Sequence, residues 1–335
     1  MKPTRFGRTG LHVSPLCLGT MTFGVQADEA ESHRILDTAF DAGVRFIDTA
    51  DMYPLGHDGD LAGVTEEIIG RWLPARRSDV IIATKFYFPM GANPWDRGAS
   101  RKHIMDSIDG SLRRLQTDHI DLYQIHHFDD HTPIDETLGA LDDLVRAGKV
   151  RYLGCSNYAA WQLSRAVGRS EALGISRYES VQPRYNLLFR NIERDILPAA
   201  AHDGLAVIPY NPLAGGMLTG KHRGSSSDEA APAGGRFSED LGGAGDMYRG
   251  RYWADDKFRI VEAIAEIADE LGVAMTSLAV AWVAANPLVT APIIGASRSE
   301  QLADSIAGAS LTLEPEVLDR LDGLTRQYRT VDVDR

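Results

Sequence analysis

The sequence predicts a (β/α)8 barrel, a single domain over residues 1–335, with a long loop after the seventh strand and extra C-terminal helices. Three observations carry that expectation. Short apolar runs suited to buried parallel strands recur eight times, at 16–18, 45–47, 80–84, 121–125, 150–155, 180–182, 206–208 and 291–294. Between them lie segments whose apolar residues recur at helical spacing, and eight such units in this length favour a closed barrel over an open, doubly wound sheet. No G-x-G-x-x-G follows the first run, so the usual dinucleotide-binding fingerprint of the open fold is missing.

The elements follow in order. A polar stretch, 1–10, precedes the first strand, and a helix is expected over 29–42. The second strand runs into Asp48 and Tyr53, and the third into Lys85 with a helix over 100–115 behind it. The fourth ends at His126 and is followed by a helix over 134–146. After the seventh strand, residues 221–253 are rich in Gly, Ser and Ala, with the run 224–235 at their centre. That is too long for an ordinary β-to-α connection, so a mobile lid is expected there. The helical period is plainest over 256–271, where Ile260, Ile264, Ile267 and Leu271 share one face. Additional helices are expected at 275–285, before the last strand, and at 314–326, after the last barrel helix.

Composition narrows the function. The net charge of -12, with both signs interspersed, argues against a nucleic-acid surface or an anionic membrane as partner. The N-terminus lacks a hydrophobic leader and no stretch approaches ~18 apolar residues, so a soluble, cytoplasmic protein is expected. Cys17 and Cys155 both lie in apolar strand-like runs, which points to packing in a reducing compartment rather than to a disulfide framework. Oligomeric state is left open.

In a barrel of this kind the carboxyl ends of the strands form the active site. Asp48, Tyr53, Lys85 and His126 all follow such ends, and together they suggest a carbonyl reductase. Lys85 would lower the pKa of Tyr53 so that the phenol acts as general acid, Asp48 would orient and neutralise Lys85, and His126 would bind the carbonyl. Taken singly, each has a bland alternative: an Asp after a strand often caps a helix, and a lone His is usually a satisfied core residue.

The segments FIDTADMY (46–53), TK (84–85), DLYQIH (121–126), GKVRYLGCSNY (148–158) and 295–304 resemble the aldo-keto reductase superfamily over essentially the whole chain. The resemblance implies a (β/α)8 barrel that reduces aldehydes and ketones with NADPH through an Asp, Tyr, Lys, His tetrad, here Asp48, Tyr53, Lys85 and His126. It also implies a cofactor site for NADPH/NADP+. Ser156, Asn157 and Gln182 would bind the nicotinamide carboxamide, with Asp48 beside it. Tyr210 would stack on the ring, and Thr20 and Met21 would floor the pocket. Asn211, Pro212, Leu213, Gly215, Gly216 and Lys221 would wrap the pyrophosphate. Gly295, Ser297, Arg298, Gln301, Asp304 and Ser305 would hold the adenosine 2'-phosphate end at the start of a helix. Many members of the family carry Asn where this chain has Ser305, which would weaken an adenine contact.

Substrate residues are read from aromatics near strand ends: Phe23, Phe86, Phe88, Trp95, Phe128 and Trp253, with His127 beside the catalytic His126. The stretch 86–113 and the run QPRYNLLFR (182–190) resemble bacterial relatives acting on nucleotide-linked deoxysugars or related natural products. A small-molecule carbonyl compound is therefore the expected substrate. Reduction of an enone in deoxysugar biosynthesis is a second reading. A third is a cofactor-binding sensor, since potassium-channel β subunits share this barrel. His126, His127, Asp129, Asp130 and His131 have metal-ligand side chains, but without a helical H-E-x-x-H framework no metal site is expected.

Overall fold

The computed structural model describes residues 1–55 and 60–329. A small antiparallel hairpin opens the chain, β1 (Thr4–Arg5) and β2 (His12–Val13). Eight parallel strands follow: β3 (Cys17–Gly19), β4 (Phe46–Asp48), β5 (Ile81–Phe86), β6 (Ile120–Ile125), β7 (Val150–Ser156), β8 (Tyr178–Gln182), β9 (Ala206–Val207) and β10 (Ile293–Gly295). Their spatial order is β10-β3-β4-β5-β6-β7-β8-β9. The circle closes through a bridge between Tyr210 and Ile293 and through hydrogen bonds from Thr290 N–H to the Val207 carbonyl and from Ile293 N–H to that of Pro209, both 2.8 Å. This is the predicted barrel. The eight strands lie where the apolar runs placed them, with ends differing by a few residues. The hairpin, too short to show a period, was not anticipated.

Helices fill the outer layer: α1 (Glu29–Asp41), α2 (Val64–Trp72), α3 (Arg101–Leu115), α4 (Ile134–Arg146), α5 (Ala160–Leu173), α6 (Ile196–Asp203), α7 (Gly242–Tyr252), α8 (Asp255–Leu271), α9 (Met275–Ala285), α10 (Leu302–Gly308) and α11 (Pro315–Thr325). Their starts have local causes. Asp28 accepts the Glu31 N–H at the head of α1, and Ser100 that of His103 at the head of α3. Among the described residues no single helix is long and apolar enough to cross a membrane; α9 is apolar all round because it is buried, and it meets α8 at a 96° bend.

Two cores result. The larger lies between the helices and the outer face of the barrel. The smaller fills the barrel itself, with Cys17, Phe46, Ala83, Leu122, Ala206, Ile208, Ala291 and Ile293, and is closed below by Phe6 and Val13 of the hairpin. Side chains alternate along a strand, so the next inward position above Phe46, Ala83 and Leu122 belongs to Asp48, Lys85 and Gln124. The strand period thus sets a polar layer directly on an apolar one. Cys17 and Cys155 are buried and free, and burial pushes both thiols up, which suits packing rather than reactivity.

Segment 221–253 departs from the expected irregular loop. Its second half forms α7, and Phe237, Tyr248 and Tyr252 are buried, as is His222 at its base. The glycines Gly242, Gly243, Gly245 and Gly250 hid this helix from any reading by propensity, and packing against the barrel overrides that weakness.

Candidate active site

The polar layer is bonded together. The Lys85 ammonium donates to Asp48 Oδ2 and to the Thr49 carbonyl (2.8 Å), while Asp48 Oδ1 accepts from Gln124 Nε2 (3.0 Å) and Gln182 Nε2 (2.9 Å). Behind β5, Thr84 donates to Glu66, which is paired with Arg114 (2.8 Å), so the strand carrying Lys85 is held from both sides. Above Lys85, the Tyr53 ring lies with its centroid 5.1 Å from the ammonium nitrogen. His126 meets Tyr53 edge-on at 5.8 Å and Phe88 at 5.0 Å.

Electrostatics give these groups definite forms. Burial works to lower the Lys85 ammonium, but Asp48 and then Tyr53 outweigh it, and the group is held above its usual range as a cation. Burial raises the Tyr53 phenol; Lys85 lowers it, yet not enough, and the net direction is upward. This corrects the expectation of a net depression: desolvation in the closed barrel mouth exceeds the pull of one ammonium already shared with Asp48. A raised phenol is a protonated phenol, the form a proton donor needs. Burial, then Lys85 and His127, push His126 well down, so its imidazole is neutral, with a buried Nδ1 that has no partner among the described residues.

These groups face a cavity of about 1020 Å³. Along its wall stand Thr20, Met21, Asp48, Ser156, Asn157, Gln182, Tyr210, Asn211, Pro212, Leu213, Gly215, Gly216, Lys221, Gly295, Ser297, Arg298, Gln301 and Asp304. Ser305 is not among them; its side chain is buried in α10 and its hydroxyl has no partner among the described residues. Lys85 also stays behind the wall, fully buried. Tyr210 donates from its hydroxyl to Asn157 Oδ1 (2.9 Å), and Asn157 Nδ2 in turn donates to the His126 carbonyl (3.0 Å). This chain of bonds ties the ends of three strands into one rim.

The far half of the cavity is built for an anion. Gly215 and Gly216 take φ of 71° and 106°, and a Cβ on them would come within 2.7 Å of the Tyr248 ring and 3.1 Å of the Lys221 ammonium. Only glycine leaves that cradle open. The charges of Arg236 and Arg298 both reach Lys221, and none of the three has an ion pair among the described residues. Three convergent cations, a glycine cradle and an aromatic wall at Tyr210 fit a nicotinamide dinucleotide. Arg236 was not found in the sequence because it lies in the low-complexity segment, where nothing distinguishes it from a solvated arginine. Gln124 was also missed, although its place two residues before His126 on the same strand face was a usable signal.

Of the residues read as a substrate wall, Phe88 and His127 line this cavity. The others lie elsewhere. Phe23 and Phe86 are fully buried in the outer core, Phe86 stacked 4.9 Å from Tyr123; Trp95 is an exposed loop residue. Phe128 packs against Tyr158 and Trp161 beside a separate cavity of about 330 Å³. Trp253 belongs to a cluster with His222, Phe237 and Phe258. An aromatic at a strand end can turn to either side of the barrel wall, and strand period alone does not say which. The unforeseen lining residues include Met52, Leu55, Met247 and Arg251. In the His126–His131 run, Asp129 is spent on the loop, accepting from the Ala99 and His131 N–H groups and from Thr132. No group of metal-ligating side chains occurs among the described residues.

A sequence model described as the aldo/keto reductase family matches residues 15–326. The chain belongs to the aldo/keto reductase family. It is 43% identical over 333 residues to an uncharacterized oxidoreductase, YrpG, of Bacillus subtilis (strain 168), covering 97% of this chain and 96% of that protein. It is 36% identical to a probable voltage-gated potassium channel subunit beta of Oryza sativa subsp. japonica, covering 97% of each. It is 32% identical to a versiconal hemiacetal acetate reductase of Aspergillus parasiticus, covering 96% of each. This aldo/keto reductase relative is thus an oxidoreductase by kinship, of a family that generally binds NAD(P)H.

Proposed function

We propose that the protein reduces an aldehyde or ketone to an alcohol with NADPH, the carbonyl lying between Tyr53 and His126. The observation that carries this reading is the tetrad itself: a protonated phenol and a neutral imidazole open on one cavity, with a buried ammonium directly behind the phenol. The reduced nicotinamide, when bound, supplies the hydride to the carbonyl carbon. Tyr53 gives its proton to the oxygen, and the Lys85 ammonium stabilises the phenolate left behind. Asp48 keeps Lys85 in place. The neutral His126 donates a hydrogen bond to the same oxygen and so orients it.

For the cofactor, Ser156, Asn157 and Gln182 line the cavity together with Tyr210; the first three would hold the carboxamide and Tyr210 would offer the stacking face. Lys221, Arg236 and Arg298 supply more positive charge than a pyrophosphate alone calls for, which supports NADPH over NADH. A panel of simple carbonyl compounds with purified protein, followed by NADPH consumption, tests the reading. Turnover on several members is expected; tight NADPH binding with none would count against it. That second outcome is the prediction of the accessory-subunit reading, which the rice potassium-channel relative supports. The intact tetrad is compatible with both readings, and turnover decides between them.

The run QPRYNLLFR, read as a hint of a deoxysugar substrate, has structural work in this fold. Gln182 bonds Asp48, Asn186 donates to the Asn211 carbonyl and thereby props the cofactor loop, and Arg190 grips Asp322 and Thr325 of α11.

A further inference from the structure

We propose that the carbonyl substrate carries an oxyanion, of which a carboxylate is the simplest form, and that Arg251 receives it. The inference rests on the reductase reading above and narrows its substrate. The chain has a net charge of -12, yet among the described residues the acids lining the cavity are Asp48 and Asp304, and Asp48 is taken by Lys85. The cations lining it are Lys221, Arg236, Arg298 and Arg251, and they fall into two groups. Arg236 and Arg298 both act on Lys221 at the glycine cradle. Arg251, on α7, is not among the charges that act on Lys221.

Its position is at the reacting end. The hydroxyl of Tyr252, the next residue on α7, accepts from Asn211, which follows Tyr210, and the Tyr210 hydroxyl is itself bonded to Asn157 beside His126; of the positive charges acting on the Tyr210 phenol, that of Arg251 has the largest effect. Tyr248, one turn before Arg251 on α7, is close enough to act on Tyr53. Arg184 is committed to packing: its guanidinium lies 3.5 Å over the Phe189 ring. Arg251 has no ion pair among the described residues, and its guanidinium carbon is 5.9 Å from the centre of the Tyr248 ring. Two adjacent guanidinium groups without a carboxylate between them repel each other, and Arg184 is pushed down by burial and by Arg251. An anionic ligand relieves that repulsion and gains a charge-assisted, two-point hydrogen bond. Met52, Leu55, Phe88 and Met247 line the same cavity and would cover an apolar spacer between carbonyl and anion. The competing role, a solvated helix cation, leaves Arg251 without effect on substrate choice.

The test compares two aldehydes of different length, 4-carboxybenzaldehyde and 3-(4-formylphenyl)propanoate, each with its neutral methyl ester. Wild type, Arg251→Gln and Arg251→Lys are assayed for kcat/KM. Binding of the four product alcohols to the NADP+-loaded proteins is measured by calorimetry. The proposal expects wild type to favour the carboxylate of at least one length. Arg251→Gln should cut the acid-to-ester ratio about ten- to a hundredfold, through KM and Kd rather than kcat, and Arg251→Lys should restore part of it. It is overturned if wild type favours the esters at both lengths, if the ratio is unchanged in Arg251→Gln, or if the loss is matched by an equal loss of NADPH affinity. Should no aldehyde be reduced, the reductase reading fails, while the calorimetric ratio still decides the fate of the anion site.

Discussion

The tetrad, of which Asp48, Tyr53 and His126 line the cavity, and the 221–253 segment that lines the same cavity are specified in different ways. Two of the tetrad are bolted to strand ends: Asp48 and Lys85, with Gln124 beside them, are inward positions of β4, β5 and β6, fixed by the register of a parallel sheet, and Tyr53 and His126 follow β4 and β6. The segment is held by side-chain packing, with His222 lying edge-on to Phe237 at 5.3 Å and to Trp253 at 5.2 Å, and with Arg236 donating to the Tyr248 hydroxyl. The first arrangement gives a geometry that survives without ligand; the second gives a cover whose closure depends on a few aromatic contacts. On the proposed reading, chemistry belongs to the barrel, and selectivity and access to the cover.

The largest expected effect breaks the barrel half. Tyr53→Phe should lower turnover by roughly 10² to 10⁴ and leave NADPH binding largely intact, because the phenol gives a proton and leaves the cofactor contacts to other residues. Cofactor fluorescence titration alongside the rate assay checks both; near-wild-type turnover would remove Tyr53 from its role. Next, Arg298→Ala should weaken NADPH about ten- to a hundredfold while hardly touching NADH, measured as two dissociation constants. Equal weakening would return Arg298 to a structural role.

The cover should respond to pH where the tetrad does not. His222 is buried, both ring nitrogens lack partners among the described residues, and burial, then Lys221, push it down to about 4. A histidine lowered on closing binds fewer protons closed than open. Closure is therefore fully stable above pH 6.5, weakens as pH falls, and levels off near pH 4. The opening equilibrium should rise by up to on the order of a hundredfold over that window. Hydrogen exchange across 221–253, corrected for intrinsic rates, should show it, and His222→Phe should flatten it. The smallest effect is expected from shortening 224–235, which should change NADP+ release more than the chemical step. Pre-steady-state bursts separate the two, and an equal change in both would deny the segment any gating role.

The same contrast explains what was legible in the sequence. Eight apolar runs and the residues after them placed the barrel, Asp48, Tyr53, Lys85 and His126, because strand period and strand-end chemistry are local signals. The sign of the Tyr53 shift was not legible, since it depends on how deeply the phenol is buried relative to one shared ammonium. Nor was α7, whose glycines argue against a helix that tertiary contacts nevertheless stabilise, and Arg251 on it and Arg236 before it stayed out of view. Phe86 shows the limit within the barrel: one residue past Lys85, it turns outward to Tyr123, not to the cavity.

The most direct test of the central claim follows the hydride. Purified protein is given cinnamaldehyde and NADPH carrying deuterium at the transferable C4 position, and the product is read by mass spectrometry and NMR. Carbonyl reduction with Tyr53 as proton donor predicts cinnamyl alcohol with the deuterium on the carbinol carbon, formed by wild type and lost in Tyr53→Phe. Deuterium on the former alkene carbon, or cofactor bound and never consumed, would contradict it.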